Sequence, residues 1–247
     1  MVRIGLGVAA LGTLAEYLLR FDRLIGADVA MAPFWGWFPD PSWPWVALLA
    51  GAWFLTAYLF LTGRYRPLSA TVLGMVLFCV LLTDRQWYTN HLYLLALVVP
   101  LAGWAASDDD DLSRTARRLI GAQVLLVYLF AGIAKLNGEF LSGAVLQGYL
   151  GGLPGFEPGA FRALAGAVVG SELLVVPLLL LERTRLVGVA LGVAMHGGMV
   201  AGSLPSMPLI EQLGVTNFGI AMLSCYPAVF ALGDEVEVHW QGHRTPR

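Results

Sequence analysis

Eight apolar runs, bounded by charge or proline, follow one another along the chain at about 4–19, 45–62, 67–83, 90–106, 119–134, 161–181, 186–203 and 212–231. Runs of this length with this punctuation predict helices. Several are short for a bilayer, whose hydrocarbon core needs ~20 helical residues. Their ends are expected to extend into flanking Trp, Tyr and Arg side chains, which suit the lipid–water interface. The predicted fold class is all-α, a polytopic membrane bundle of about eight transmembrane helices. The first run has the look of a signal peptide, with Arg3 ahead of small apolar residues. Glu16 interrupts it and no clear cleavage pattern follows. With seven more runs behind it, this helix is expected to be retained.

Composition makes the same point independently. The 247 residues are 57% hydrophobic and only 13% charged, with a mean hydropathy of +0.70. A soluble domain carries roughly 25% charged residues, and half that number cannot cover a water-facing surface. Lipid must solvate much of the chain. The net charge of -2 leaves no basic footprint, so nucleic acid is excluded as a partner. The basic residues also set an orientation. With a cytoplasmic N-terminus, ten fall inside, including Arg3, Arg64, Arg66, Arg114, Arg183 and Arg185; five fall outside, namely Arg20, Arg23, Arg85, Lys135 and Arg162. This bias satisfies the positive-inside rule with both termini cytoplasmic.

Neither a repeat nor a long linker divides the chain, and one membrane domain is expected over 1–232. A short polar cytoplasmic tail follows over 233–247. In that tail His239 and His243 lie four apart without a third ligand nearby, and no metal site is expected. The acidic run Asp108–Asp111 lacks the alternation and central Gly of a calcium loop and reads as a solvated inner loop. Met31–Trp45, with four tryptophans among four prolines, suits the interface. Cys79 and Cys225 fall in opposite halves of the membrane and are not expected to pair. Without a CxxC motif, a quinone–thiol oxidoreductase is disfavoured.

Ionisable groups within membrane spans are costly and are functional candidates by default. Asn90 and His91 open the fourth run, Lys135 closes the fifth, Glu172 lies in the sixth, and His196 lies mid-way along the seventh. In the orientation above, His91 and Lys135 share a level near the outer face. His196 sits about 15 Å up from the inner end of its helix, at ~1.5 Å per residue. Each residue also has a structural reading. A lysine at a helix end snorkels, Asn caps helix starts, and a membrane histidine can join helices by a hydrogen bond. Glu172 could pair with His196 or with a backbone group.

Three runs, NHLYLLAL, Gln123–Gly143 (QVLLVYLFAGIAKLNGEFLSG) and SELL…RTR…MHGG, share an order and spacing that resembles the membrane domain of the vitamin K-dependent γ-carboxylases. Its short bacterial relatives are the HTTM proteins, and the chain looks like a short bacterial or archaeal member. The resemblance runs from about residue 3 to 231. Its most specific part is Tyr-x-x-Ala-Gly-x-x-Lys-Leu downstream of Asn-His-x-Tyr-Leu. It implies an enzyme that oxidises a reduced naphthoquinone (vitamin K or menaquinol type) with O₂ to an epoxide, coupled to CO₂ addition at a glutamate side chain. It also implies that Lys135, His91 and His196 are catalytic, with Lys135 as the base, and that Asn90, Tyr128, Gln123 and Glu172 bind substrate or quinone. Expected partners are membrane lipid, the quinone, and a glutamate-containing peptide or a separate recruiting protein. The chain departs from larger members at Ala134, where they carry a second lysine, and at Asn137, where they carry an acid. The large extracytoplasmic domain that grips a propeptide has no counterpart here. The rival reading is a non-catalytic module binding quinone, lipid or peptide, with Lys135 as an anion clamp.

Overall fold

A computed structural model describes residues 2–26, 42–83, 89–107, 109–150, 157–203 and 207–232. Most of Met31–Trp45, residue Asp108, and the tail with His239 and His243 lie outside the described residues. What is described is almost wholly helical, with no strand among the described residues. The helices are α1 (Val2–Gly26), α2 (Trp43–Thr62), α3 (Arg66–Thr83), α4 (Asn90–Trp104), α5 (Asp110–Ala134), α6 (Gly138–Leu141), α7 (Ala144–Leu150), α8 (Pro158–Leu180), α9 (Arg185–Ser203) and α10 (Leu209–Val229). Each of the eight apolar runs therefore becomes a helix, and the all-α prediction holds.

Seven of these helices are long and apolar enough to cross a membrane. α4 is the shorter one, with 15 residues. At ~1.5 Å per residue it rises about 22 Å, less than the ~30 Å hydrocarbon core. Its sequence run reached residue 106, but the chain leaves the helix at Ala105 and turns towards α5. Asp109 then opens α5 by accepting from the backbone N–H groups of Asp111 and Leu112, both at 3.0 Å. The acidic run is thus a helix start, where carboxylates offset the unpaired N–H groups and the helix dipole.

Two compact units divide the chain. The first holds 1–119 and 209–224, the second 120–208 and 225–247, with the boundaries falling inside α5 and α10. In the first unit, α1 packs on α2, where Tyr17 meets Trp53 with ring centroids 5.8 Å apart and both side chains are essentially buried. The Trp53 indole N–H donates to the Ala10 carbonyl at 3.0 Å, so this large ring is buried without an orphan donor. α3 and α4 approach closely because Gly74 leaves room for the Pro100 ring and Gly103 for Ala70, as small residues commonly allow in membranes.

In the second unit, α8 and α9 form a hairpin through a 3-10 turn at Glu182–Thr184. Arg185 is buried there. Its Nε donates to the Leu179 carbonyl at 3.0 Å, and its guanidinium lies 5.7 Å from the Phe230 ring. α6 and α7 fold onto α8, where Phe140 joins Ala165 and Val169 in a small core. Gly143, at φ 83°, makes the turn between these short helices.

Candidate functional site

His91 on one hand, and Lys135, Glu172, Tyr128 and His196 on the other, fall into two largely buried groups, one in each unit. The first is built on α1 and the start of α4. Glu16 is fully buried, and Arg20, one turn on, donates to its Oε1 from Nε at 3.0 Å. His91 Nε2 lies 2.8 Å from Glu16 Oε2, and the His91 side chain is 7% exposed. The ring nitrogen makes an ion-pair approach to this oxygen without an aligned hydrogen bond. Thr89 Oγ1, 3.4 Å from His91 Nε2, accepts from the Leu92 N–H and caps α4; the Tyr17 hydroxyl lies 3.3 Å from it. Gly214 of α10 makes space, since a Cβ there would lie 3.2 Å from Glu16 Oε1 and 3.3 Å from His91 Cε1. Asn90 is exposed on the first turn, and the cap is Thr89 rather than Asn90.

The second cluster begins with Lys135, the sole lysine among fifteen basic residues. Its Nζ donates to both carboxylate oxygens of Glu172, at 2.6 and 2.8 Å. Gly132 of the Ala-Gly-x-x-Lys-Leu motif explains how they meet. A Cβ at 132 would lie 2.6 Å from Leu173 Cδ2, so glycine lets α5 approach α8 this closely without displacing that side chain. Glu172 is buried, whereas the Lys135 side chain remains 29% exposed. The Phe140 ring lies 5.8 Å from the ammonium, within cation–π range.

Two turns back along α5, a step of seven residues that returns to the same helix face, Tyr128 is buried. Its hydroxyl meets His196 Nε2 at 2.9 Å and also makes a short hydrogen bond to the Tyr226 hydroxyl. All three side chains are within a few per cent of full burial. Gly192, one turn before His196 on α9, leaves the space the two hydroxyls occupy.

Several expectations change. Glu172 pairs with Lys135 rather than with His196 or a backbone group, while His196 is engaged by Tyr128. Phe130 and Leu136, apolar neighbours of Lys135 in the sequence, are 63% and 55% exposed. They lie five residues before and one after it, roughly 140° and 100° away around the helix. Gln123 is half-buried and stands five residues from Tyr128, again about 140° away, so α5 does not present the two on one face. His91 belongs to the first unit, and Lys135 and His196 to the second.

Sequence reasoning missed Glu16 and Tyr226 as members of these clusters. Glu16 met the same test as Glu172, a carboxylate inside an apolar run, but served only as an argument about signal peptides. Tyr226 carried no signal that separates it from an ordinary core aromatic. Among the described residues, no group of three His, Cys, Asp or Glu is placed to hold a metal.

Apolar helices of membrane length, with their ionisable groups turned inward and paired, define a polytopic integral membrane protein. Within that class the chain belongs to the HTTM domain family, which it matches over residues 2–200. This domain is related to the vitamin K-dependent carboxylase-like proteins. No curated protein and no solved structure matches the chain.

Proposed function

We propose that this protein is a quinol-dependent membrane enzyme in which the Lys135–Glu172 pair manages the proton of a reduced naphthoquinone. The observation that carries the reading is the placement of the only lysine. Fourteen of the fifteen basic residues are arginine, which stays charged in proteins, whereas the residue in the Ala-Gly-x-x-Lys-Leu motif is the one basic type that can give up its proton and act as a base. It meets a buried carboxylate on one side and remains partly open on the other. A phenol-like quinol hydroxyl needs a partner that takes a proton and then neutralises the oxyanion left behind. An amine backed by a carboxylate supplies both roles, with Glu172 holding the ammonium in place.

When bound, the quinol supplies the reducing power. Quinol and O₂ give quinone epoxide and water, and a glutamate C–H and CO₂ give the dicarboxylated side chain. This chain's part is to receive the hydroxyl proton at Lys135 Nζ, hold the amine against Glu172, and keep the interior dry. Burial of Tyr128, Tyr226 and His196 in one hydrogen-bonded chain supports the last role, since a strongly basic intermediate must be shielded from water. His91, backed by Glu16, is the further acid–base candidate. The orientation proposed is both termini in the cytoplasm and Lys135 towards the outer face. The acceptor is a glutamate-containing peptide, presented directly or by a separate recruiting protein.

The test is an assay of purified protein with menaquinol and O₂, with and without a glutamyl peptide and labelled CO₂. Epoxide formation supports the reading, and label in the peptide supports its carboxylase half. One observation favours a rival. Lys135 already spends two hydrogen bonds on Glu172, as a static anion clamp or packing ion pair would. Quinone binding without turnover would establish that non-catalytic module instead.

A further inference from the structure

The turn between α2 and α3 has a feature that neither the fold nor the proposed chemistry uses. α2 ends on Gly63 at φ 78°, a left-handed position that favours glycine. The missing Cβ also leaves room for a side chain. The Arg3 guanidinium, arriving from the start of α1, occupies the place a Gly63 Cβ would need, and Arg66 Nε lies 3.3 Å from that same point. Two cations are thus brought together over one residue, with exposed Arg64 beside them.

Neither Arg3 nor Arg66 has a carboxylate partner among the described residues. Arg66 donates only from Nε, to the Gly63 carbonyl at 3.3 Å. A guanidinium near a helix end usually serves the last carbonyls, but the Leu59 and Phe60 carbonyls are already met by the turn's own backbone. Gly63 N–H reaches Phe60 O at 3.0 Å, Arg64 N–H reaches Leu59 O at 2.9 Å, and the Thr62 hydroxyl donates to Tyr58 O at 2.9 Å. The positive-inside rule accounts for basic residues at this end of the helices, but it asks for charge and not for convergence. Like charges held together without an acid between them attract an anion.

The position identifies the anion. Three membrane-length segments, Val2–Asp22, Trp43–Thr62 and Arg66–Thr83, begin or end here, so the guanidiniums stand at headgroup level. Between Arg64 and Arg66, Tyr65 adopts φ 51° and is 73% exposed, an aromatic ring offered to the interface. We propose that the α2–α3 turn binds the phosphodiester of an anionic phospholipid, with Arg3 and Arg66 as its ligands and Arg64 at the rim. Arginine suits this task because its planar fork matches two phosphate oxygens. The site is independent of any quinol chemistry elsewhere in the chain.

Thermal unfolding in detergent tests it, with phosphatidylglycerol, phosphatidylcholine or inorganic phosphate added. Phosphatidylglycerol should raise the midpoint by on the order of 5 °C near saturation. The double variant Arg3→Gln/Arg66→Gln should lose that rise. Arg114→Gln removes an exposed arginine that already has Asp111 3.7 Å away, and it should keep the rise. Native mass spectrometry of the unaltered protein gives an arm that does not depend on a variant folding, because phosphatidylglycerol should be retained in preference to phosphatidylcholine. Equal retention of the two lipids, or a full response in the double variant, overturns the site. A rise reproduced by inorganic phosphate alone overturns the lipid assignment.

Discussion

Replacing Lys135 separates a base from an ion-pair partner, because the structure shows what each substitution leaves behind. In Lys135→Ala, Glu172 loses both of its short contacts while staying buried. Breaking a buried pair by removing one partner costs about 3–5 kcal/mol, and the 29% exposure of the lysine side chain places this case towards the lower end. Loss of turnover in that variant therefore mixes chemistry with stability. Adding Glu172→Gln removes the stranded charge, so the double variant should recover much of the lost thermal midpoint while remaining inactive. Lys135→Arg is cleaner still. A guanidinium can hold both Glu172 oxygens through its fork, preserving the pair and the charge, yet it does not deprotonate. General-base contributions run to about 10²–10⁴-fold, so quinol oxidation by Lys135→Arg should fall by at least two orders of magnitude while its midpoint stays near the unaltered value. The assay is epoxide formation under saturating menaquinol, with unfolding followed in parallel. A small amine should partly rescue Lys135→Ala, with greater rescue at higher pH as more free base is present. Near-normal oxidation by Lys135→Arg would falsify the base assignment and leave the lysine as a clamp.

Three further outcomes are expected. Single cysteines at Arg66 and Arg185 should be reached by a membrane-impermeant thiol reagent only from the cytoplasmic side, and one at Asn137 only from the outside; cytoplasmic labelling at Asn137 reverses the orientation. Because Arg185 is buried, its labelling should also be slow beside that at exposed Arg66. Glu16→Ala leaves Arg20 and His91 without their shared carboxylate and should destabilise by about 3–5 kcal/mol, less for Glu16→Gln; an unchanged unfolding midpoint in Glu16→Ala refutes the pairing. Gly192→Ala puts a methyl where the Tyr226 hydroxyl sits and 2.7 Å from that of Tyr128. Overpacking of this kind costs about 1–3 kcal/mol, and Tyr226→Phe in the same chain should relieve part of it.

The fold was legible because lipid imposes a coarse code. A segment that crosses hydrocarbon must be helical, so apolar length and punctuation nearly determine the elements, and eight runs became eight helices, seven of them of membrane length. The errors at that level were of boundary. α1 continues to Gly26, well past the end of its run, while α4 stops at Trp104 because the chain turns there. The same hydrophobicity argument flagged Lys135, Glu172, His91 and His196, since each is costly to bury alone. It says that a partner exists, and it does not say which. Partner choice depends on helix rotation and on how closely two backbones approach, and both are set by glycines that read as ordinary small residues in the sequence. Gly132 lets α5 reach α8 and so gives Glu172 to Lys135, and Gly192 admits two tyrosine hydroxyls to the position beside His196.

Glu16 and Arg3 show the other limit. Both lie in α1, the run whose charges bear on the signal-peptide reading. Each meets residues far along the chain, Glu16 meeting His91 as well as Arg20 on its own helix, and Arg3 the turn at Gly63. Arg20, one turn on in the same helix, answers one Glu16 oxygen, and only another segment brings a group to the other. The positions where α1 departs from plain hydrophobicity are therefore the positions that fix its place against α4 and against the α2–α3 turn.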